Sequence, residues 1–283
     1  MNVLLPEAQP ALRAARACGA AFSRRAVVRT VLLLAAAAAA VALPAGADEI
    51  AVYRAVNAAP GLFDQVDNDG YSLAVARAAD GSLELSVRVS GAALASRAPY
   101  RPPSLRDATL PPAPDRDAWA AALVGDAKTE AEAVARVLEG IAGSVRYDAD
   151  RSRRQDPASV FAARRAHCVG FAELAVDLLR RAGLTARTVQ GVLRTRPDAD
   201  GYDSHIGGVY HRWIEVYYAD RGFVFSDPLA SINGVDARYI AFGRRELERP
   251  RGLTLTSIET SGRIDYPLVR LPQATLRVRP VEH

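Results

Sequence analysis

The sequence predicts an α+β domain in which a helix packs on a mainly antiparallel sheet. Residues 168–182 have the apolar periodicity of a helix, and Gly183 follows where such a helix would end. Three strand-like stretches, rich in β-branched and aromatic residues, come next at 185–193, 210–218 and 222–226. Because their connections are hairpin-like, we expect neighbouring strands to pair antiparallel.

Residues 1–47 have the features of a signal peptide. Arginines precede or open an apolar run from about 27 to 43, and small residues at 45–47 suit a signal peptidase. The run is shorter than the ~20 residues of a membrane-spanning helix, which favours cleavage over a retained anchor. The arginine pair at 24–25 fits the twin-arginine route, and the general export route fits as well. We therefore expect an exported protein, periplasmic or extracellular, with no stable membrane anchor after cleavage.

The predicted leader carries the net charge of the chain. The whole sequence has 36 Lys and Arg against 32 Asp and Glu. The first 47 residues hold five of the Arg and one of the Glu, so the remaining 236 residues have 31 of each. Proteins that bind nucleic acids use an excess of positive charge against the phosphates. We therefore expect no nucleic acid partner.

Composition divides the exported part into four segments. Residues 48–98 are predicted to be β-rich, because apolar and polar residues alternate on both sides of an Asp-Gly turn within 71–90. Residues 99–116 contain six prolines and are predicted to be a linker. The helix and three strands described above belong to a domain at 117–250, and residues 251–283 form a C-terminal β tail.

Two local motifs concern a second helix and a turn. The capping-box pattern Thr-x-x-Glu at 129–132 predicts a helix that runs to about Gly143. Residues 67–70, Asp-Asn-Asp-Gly, resemble part of a calcium loop, but its first and twelfth ligand positions would be Gln65 and Ala76. This spacing favours a plain turn.

Cys168 is the residue that points most directly to chemistry. The other cysteine, Cys18, lies in the predicted leader, so the exported chain would hold one thiol. An isolated cysteine is usually a small apolar residue, but Cys168 stands where a loop turns into a helix. The positive end of the helix dipole would stabilise a thiolate there. The N–H of Cys168 would also be a donor for an oxyanion hole, whose second donor the sequence does not identify.

A histidine and an aspartate follow at positions that suit a nucleophile triad. His211 lies in the strand 210–218, where its imidazolium would stabilise a neighbouring thiolate. Asp227 comes after the next strand and would accept a hydrogen bond from the far nitrogen of His211. An aspartate before a proline, here Pro228, is also a common turn former, so a structural role for Asp227 is the alternative.

The other histidines suit other roles. His167 adjoins Cys168, and because adjacent side chains usually point apart, His211 is preferred as the base. His205 lies in the loop before His211 and suits a surface or substrate-gating role. One cysteine and scattered histidines lack the spacing of a zinc site, so we predict no metal or other cofactor.

Residues 134–230 resemble the transglutaminase-like superfamily of papain-like cysteine enzymes. The family motifs are Gly-x-Cys, a helix ending in Gly-Ile-Pro-Ala-Arg, His-x-Trp and Asp-Pro, in this order. The matching residues are Cys168 with Phe171-Ala172-Glu173-Leu174, the stretch 179–187, Val189-Gln190-Gly191, His211-Arg212-Trp213-Ile214-Glu215-Val216 and Asp227-Pro228. Two positions depart from the motifs, since Ala166 replaces the usual Gly and Thr185 replaces the Pro.

The resemblance implies a papain-like core with Cys168 as nucleophile, His211 as base, Asp227 as orienting acid and Arg187 as a structural residue. It implies amide acyl transfer through an acyl-enzyme and needs no cofactor. We favour hydrolysis of a peptide or protein substrate. Protein-glutamine amine transfer and a non-catalytic binding module are the alternatives. A further hypothesis is that residues 48–116 cover the cleft of an inactive precursor.

Overall fold

The structure covers most of residues 48–283. The computed structural model describes residues 48–92, 96–103, 109–243, 250–261 and 277–278. The predicted signal peptide and Cys18 lie outside them. These described residues belong to one compact unit. Among them, no helix combines the length and the apolar character needed to span a membrane.

The helices and strands follow one another in a mixed order. The helices are α1 (Pro114–Val124), α2 (Glu130–Ser144), α3 (Pro157–Ala163) and α4 (Cys168–Arg181). The strands are β1 (Glu49–Val56), β2 (Val66–Asn68), β3 (Tyr71–Arg77), β4 (Leu83–Val89), β5 (Arg146–Tyr147), β6 (Arg165–Ala166), β7 (Thr185–Arg194), β8 (Gly208–Tyr218), β9 (Gly222–Ser226), β10 (Ser231–Ile232), β11 (Tyr239–Ala241), β12 (Thr254–Ser261) and β13 (Arg277–Val278).

A four-stranded antiparallel sheet with the order β11-β7-β8-β9 lies between two layers. On one face, Ile214 and Val216 of β8 share an apolar cluster with the four helices. On the other face, Trp213 and Phe225 share a second cluster with the five-stranded sheet β12-β1-β4-β3-β2. This arrangement confirms the predicted α+β class. It also places the β-rich N-terminal segment directly against the sheet that carries His211.

The N-terminal sheet joins distant parts of the sequence. The predicted hairpin within 71–90 is confirmed, since β3 pairs with β4 along its length. Strand β1 pairs with β4 on one side and with β12 of the C-terminal tail on the other. Residues 67–70 form part of β2 and a turn, in which Gly70 has a φ of +73°. Strands from both ends of the described chain therefore meet in one sheet.

Helix α2 begins at a recognisable cap. Thr129 accepts a hydrogen bond from the N–H of Glu132 at 3.2 Å, as the capping box predicts for α2. Helix α1 begins at Pro114, inside the stretch predicted to be a linker. Tyr100 lies in the same stretch, before α1, and its hydroxyl donates to the carbonyl of Ala182 at the end of α4. The proline-rich stretch is thus tied to the domain that it precedes.

Candidate active site

Cys168 is the first residue of α4, and the loop before it is closely packed. His167 is the N-cap, and its Nδ1 accepts a hydrogen bond from the N–H of Val169 at 3.3 Å. The N–H of His167 in turn donates to Oε1 of Gln155 at 3.1 Å. A side chain at Gly170 would lie only 2.8 Å from neighbouring carbon atoms, so the first turn of the helix sits tightly on this loop. These contacts fix the position of the thiol.

The surroundings of Cys168 favour its thiolate form. Burial by itself raises the pKa of the thiol. Hydrogen bonds from His167 and His211, the positive charge of His211 and the N–H of Arg212 outweigh that effect and lower the pKa to about 5. This lowered pKa favours the thiolate, the nucleophilic form of the sulfur, at neutral pH.

His211 lies between the thiol and a carboxylate. Its Nε2 is 2.7 Å from Oδ2 of Asp227, which leaves Nδ1 as the ring nitrogen available to Cys168. Burial lowers the pKa of this imidazole, but the charge of Asp227, its hydrogen bond and the Cys168 thiolate raise it to about 10. The lowered pKa of Cys168 and the raised pKa of His211 both favour a thiolate–imidazolium pair.

Asp227 follows β9 and is fully buried. Its Oδ1 accepts from the N–H of Leu229 at 2.9 Å, and its Oδ2 accepts from the hydroxyl of Tyr239 at 2.7 Å as well as from His211. Burial raises the pKa of this carboxyl, but the charge of His211 and these hydrogen bonds lower it. Asp227 also closes a turn through backbone bonds with Ser231. The turn-forming role and the contact with His211 therefore coexist.

Gly191 creates the room that the aromatic neighbours of His211 need. It lies opposite His211 in the β7–β8 register. A Cβ at this position would overlap the carbonyl of Ile240 and lie 2.5 Å from Cη2 of Trp213. The Trp213 ring also stacks on His211, with ring centroids 6.1 Å apart. The Gly191 of the sequence motif is thus required by close packing beside the site.

Arg187 makes contacts that suit the structural role expected for it. It forms an ion pair with Glu215, and its guanidinium lies 4.1 Å above the ring of Phe223. Glu215 also accepts from Asn68 of the N-terminal sheet at 3.0 Å. This group of residues therefore ties β7 and β8 to β2.

The other two histidines differ in their relation to the site. His205 is exposed, and its carbonyl accepts from the N–H of Leu255 in β12 at 2.8 Å, so it anchors a loop to the N-terminal sheet. His167, in contrast, contacts the thiol that it adjoins. The expectation that its side chain points away from Cys168 was wrong, because its capping role turns the ring back over the start of the helix.

Sequence reasoning missed two tyrosines near the site. Tyr239 contacts Asp227, as described above. Tyr147 pairs with Ala166 in the short β5–β6 ladder just before Cys168, and its hydroxyl donates to Asp200 at 3.3 Å. Burial and then the negative charge of Cys168 raise the pKa of Tyr147 to about 12. Neither tyrosine stands in a motif, and only long-range contacts bring them to the site.

Among the described residues, no group of three or more His, Cys, Asp or Glu is placed to hold a metal ion. What the site holds is a cysteine with a lowered pKa, a histidine with a raised pKa and a buried carboxylate that is hydrogen-bonded to the histidine. Together with a helix that presents its N-terminus to a sheet, this is the arrangement of a transglutaminase-like domain.

Residues 117–228 match the family model of the transglutaminase-like superfamily, and this stretch contains Cys168, His211 and Asp227. The chain therefore contains a transglutaminase-like domain at residues 117–228.

Several solved structures are similar to this chain at low identity. A candidate cysteine protease from Cytophaga hutchinsonii is 14% identical, with 76% of this chain and 87% of that chain covered and a TM-score of 0.41. The periplasmic domain of TgpA from Pseudomonas aeruginosa is 18% identical, with 65% and 70% covered and a TM-score of 0.34. A TGase is 16% identical, with 62% and 51% covered and a TM-score of 0.33. No curated protein matches the chain.

Proposed function

We propose that the chain is an exported thiol enzyme that cleaves peptide or amide bonds by acyl transfer. Cys168 is the nucleophile, His211 the general base and Asp227 the acid that orients His211. The observation that supports this most is the 2.7 Å contact between Nε2 of His211 and Oδ2 of Asp227, beside a thiol at a helix N-terminus. Membership of the superfamily supports the same class of chemistry.

In the first half of the reaction, the Cys168 thiolate attacks the carbonyl carbon of the substrate amide. The N–H of Cys168 lies at the start of α4, where it has no intrahelical partner, and it donates to the resulting oxyanion in this proposal. The C–N bond then breaks, and the imidazolium of His211 gives its proton to the leaving amine. The products of this half are a free amine and a thioester at Cys168.

In the second half, the neutral His211 takes a proton from water while the water oxygen attacks the thioester carbonyl. The C–S bond breaks, the carboxylic acid leaves, and the thiolate–imidazolium pair is restored. Asp227 holds the same ring nitrogen of His211 through both halves. If an amine replaces water, the same steps give a new amide, which is the transglutaminase reaction.

Labelled casein offered together with a biotin-tagged primary amine tests this proposal and identifies the acceptor. We expect casein fragments without amine incorporation, and we expect Cys168→Ser to form none. Amine attached to intact casein would assign the protein to the transferases instead. Casein bound without either product, by wild type and variant alike, would contradict the proposal and favour a binding module.

A further inference from the structure

We infer that Tyr239 is a positioning residue of the active site and that the N-terminal sheet holds it in place. The inference rests on the proposed function, because Tyr239 acts through the orienting residue Asp227. Tyr239 is the first residue of β11, the edge strand beside β7, and its side chain is fully buried. Its hydroxyl donates to Oδ2 of Asp227 at 2.7 Å, the same oxygen that contacts His211.

The tyrosine hydroxyl completes the hydrogen bonding of a buried carboxylate. With Leu229 on Oδ1 and both Tyr239 and His211 on Oδ2, Asp227 is held from three directions. A buried carboxylate remains charged only when its oxygens are well satisfied by donors. Without the hydroxyl, one fixed donor is lost, and the carboxylate gains freedom to rotate away from His211. Its hold on the imidazolium then weakens.

Tyr239 is suited to this role because its own proton is retained. Burial and the nearby negative charges of Asp227 and Asp236 raise its pKa well above the ordinary value for tyrosine. Its ring packs edge-on against Trp213, with centroids 5.3 Å apart, and against His211 at 6.0 Å. The charged or titratable groups that act on it or contact it among the described residues are Asp227, His211, Asp236, Arg238 and Tyr71.

Side chains of the N-terminal sheet hold the backbone that carries Tyr239. The hydroxyl of Tyr71 in β3 donates to the carbonyl of Tyr239 at 2.8 Å. The hydroxyl of Tyr53 in β1 donates to the carbonyl of Ala237 at 2.8 Å, and the N–H of Ala237 donates to Glu49 at 3.1 Å. A line of contacts therefore runs from the N-terminal sheet through Tyr239 and Asp227 to His211.

This support lies outside the part of the chain that matches the superfamily model, which ends at residue 228. Strands β1, β3 and β4 precede the match, and Tyr239 follows it. The β-rich segment is thus an addition to the core domain, and its contacts with the 237–239 backbone give it a role in the chemistry of the site.

The test compares the alkylation rate of Cys168 by iodoacetamide across a range of pH in the purified protein and four variants. Tyr239→Phe removes the hydroxyl but keeps the ring, and Tyr71→Phe removes the bond to the Tyr239 carbonyl. The matched control is Tyr100→Phe, a buried tyrosine that donates to a backbone carbonyl at 2.8 Å at the far end of α4. His211→Ala reports on the proposed catalytic pair itself.

We expect Tyr239→Phe to raise the pKa of the thiol, because a less well held His211 stabilises the thiolate less. If the pKa of the Cys168 thiol rises by about one unit, from about 5 to about 6, the thiolate fraction at pH 5 falls and alkylation there becomes about fivefold slower. Tyr71→Phe is expected to act in the same direction with a smaller effect, and it carries the test if Tyr239→Phe does not fold. Tyr100→Phe is expected to leave the profile unchanged.

If the pH profile of alkylation in Tyr239→Phe or Tyr71→Phe matches that of Tyr100→Phe while the profile of His211→Ala is shifted, the inference about Tyr239 is overturned and the proposed function stands. A profile unmoved by His211→Ala would overturn the proposed function, and the inference would fall with it.

Discussion

At the scale of single residues, two histidines act on one sulfur but differ in what else they contact. His211 is held by Asp227 and has a raised pKa, so it can give and take a proton. His167 caps α4 through Val169 and has no such carboxylate among its described contacts. We therefore assign proton transfer to His211 and additional stabilisation of the thiolate to His167.

The variant His167→Ala tests this division of roles. We expect the pKa of the Cys168 thiol to rise, because one of its hydrogen bonds is removed. Alkylation at pH 5 would fall roughly threefold to tenfold, and peptide cleavage well above the new pKa would persist. His205→Ala, which changes an exposed histidine, is the control. Loss of cleavage at every pH would show that His167 is the base.

The variant Asp227→Asn tests the origin of the raised pKa of His211. Removing the charge lowers that pKa from about 10, so the alkaline limb of kcat/KM moves to lower pH. We expect kcat/KM to fall by about 100-fold or more, since an amide also favours the wrong ring tautomer. Asp220→Asn, which changes a hydrogen-bonded aspartate at the far turn of the β8–β9 hairpin, should leave the limb in place. An alkaline limb unmoved by Asp227→Asn would contradict this assignment.

At the scale of elements, long periodic segments could be predicted from the sequence. The helix predicted at 168–182 is α4, Cys168–Arg181, and the strand predicted at 222–226 has the bounds of β9. Strand β11 could not be predicted, because its three residues have no periodicity and it is placed by contacts with distant tyrosines. Tyr239 was missed for the same reason, whereas Cys168, His211 and Asp227 stand in local motifs.

Gly191 lies where β7 pairs with β8 on one side and with β11 on the other, and this position gives a prediction about packing. We expect Gly191→Ala to lower the free energy of unfolding by about 1–3 kcal/mol, because the new Cβ overlaps the carbonyl of Ile240. Gly143→Ala in α2 is the matched control, since a Cβ there meets no atom within 4 Å and alanine favours the helix. Urea unfolding measures both. Equal stability of Gly191→Ala and the wild type would show that the strands move apart freely.

At the scale of the whole molecule, the N-terminal sheet bears on the hypothesis that residues 48–116 cover the cleft. Its sheet buries Leu85 and Val87 in a cluster with Trp213 and Tyr239 of the four-stranded sheet. That cluster would be exposed to water if the segment were removed. The described contacts are those of a structural layer, which buries this cluster and holds the 237–239 backbone.

Deleting residues 48–98 tests this view. We expect the shortened protein to unfold at lower temperature and its thiol to react like an ordinary cysteine, because the support of Tyr239 is lost. Thermal unfolding and alkylation of Cys168 measure the two effects. A shortened protein that stays folded and reacts faster than the complete one would favour the covered-cleft hypothesis.

The central claim is that Cys168 and His211 form a thiolate–imidazolium pair. The most direct test is a pH titration of the ultraviolet absorbance of the thiolate in the wild type and in His211→Ala, with Cys168→Ser as the blank. We predict a thiol pKa of about 5 in the wild type and a clearly higher value in His211→Ala. A thiol that titrates near its ordinary pKa in both proteins would contradict the claim.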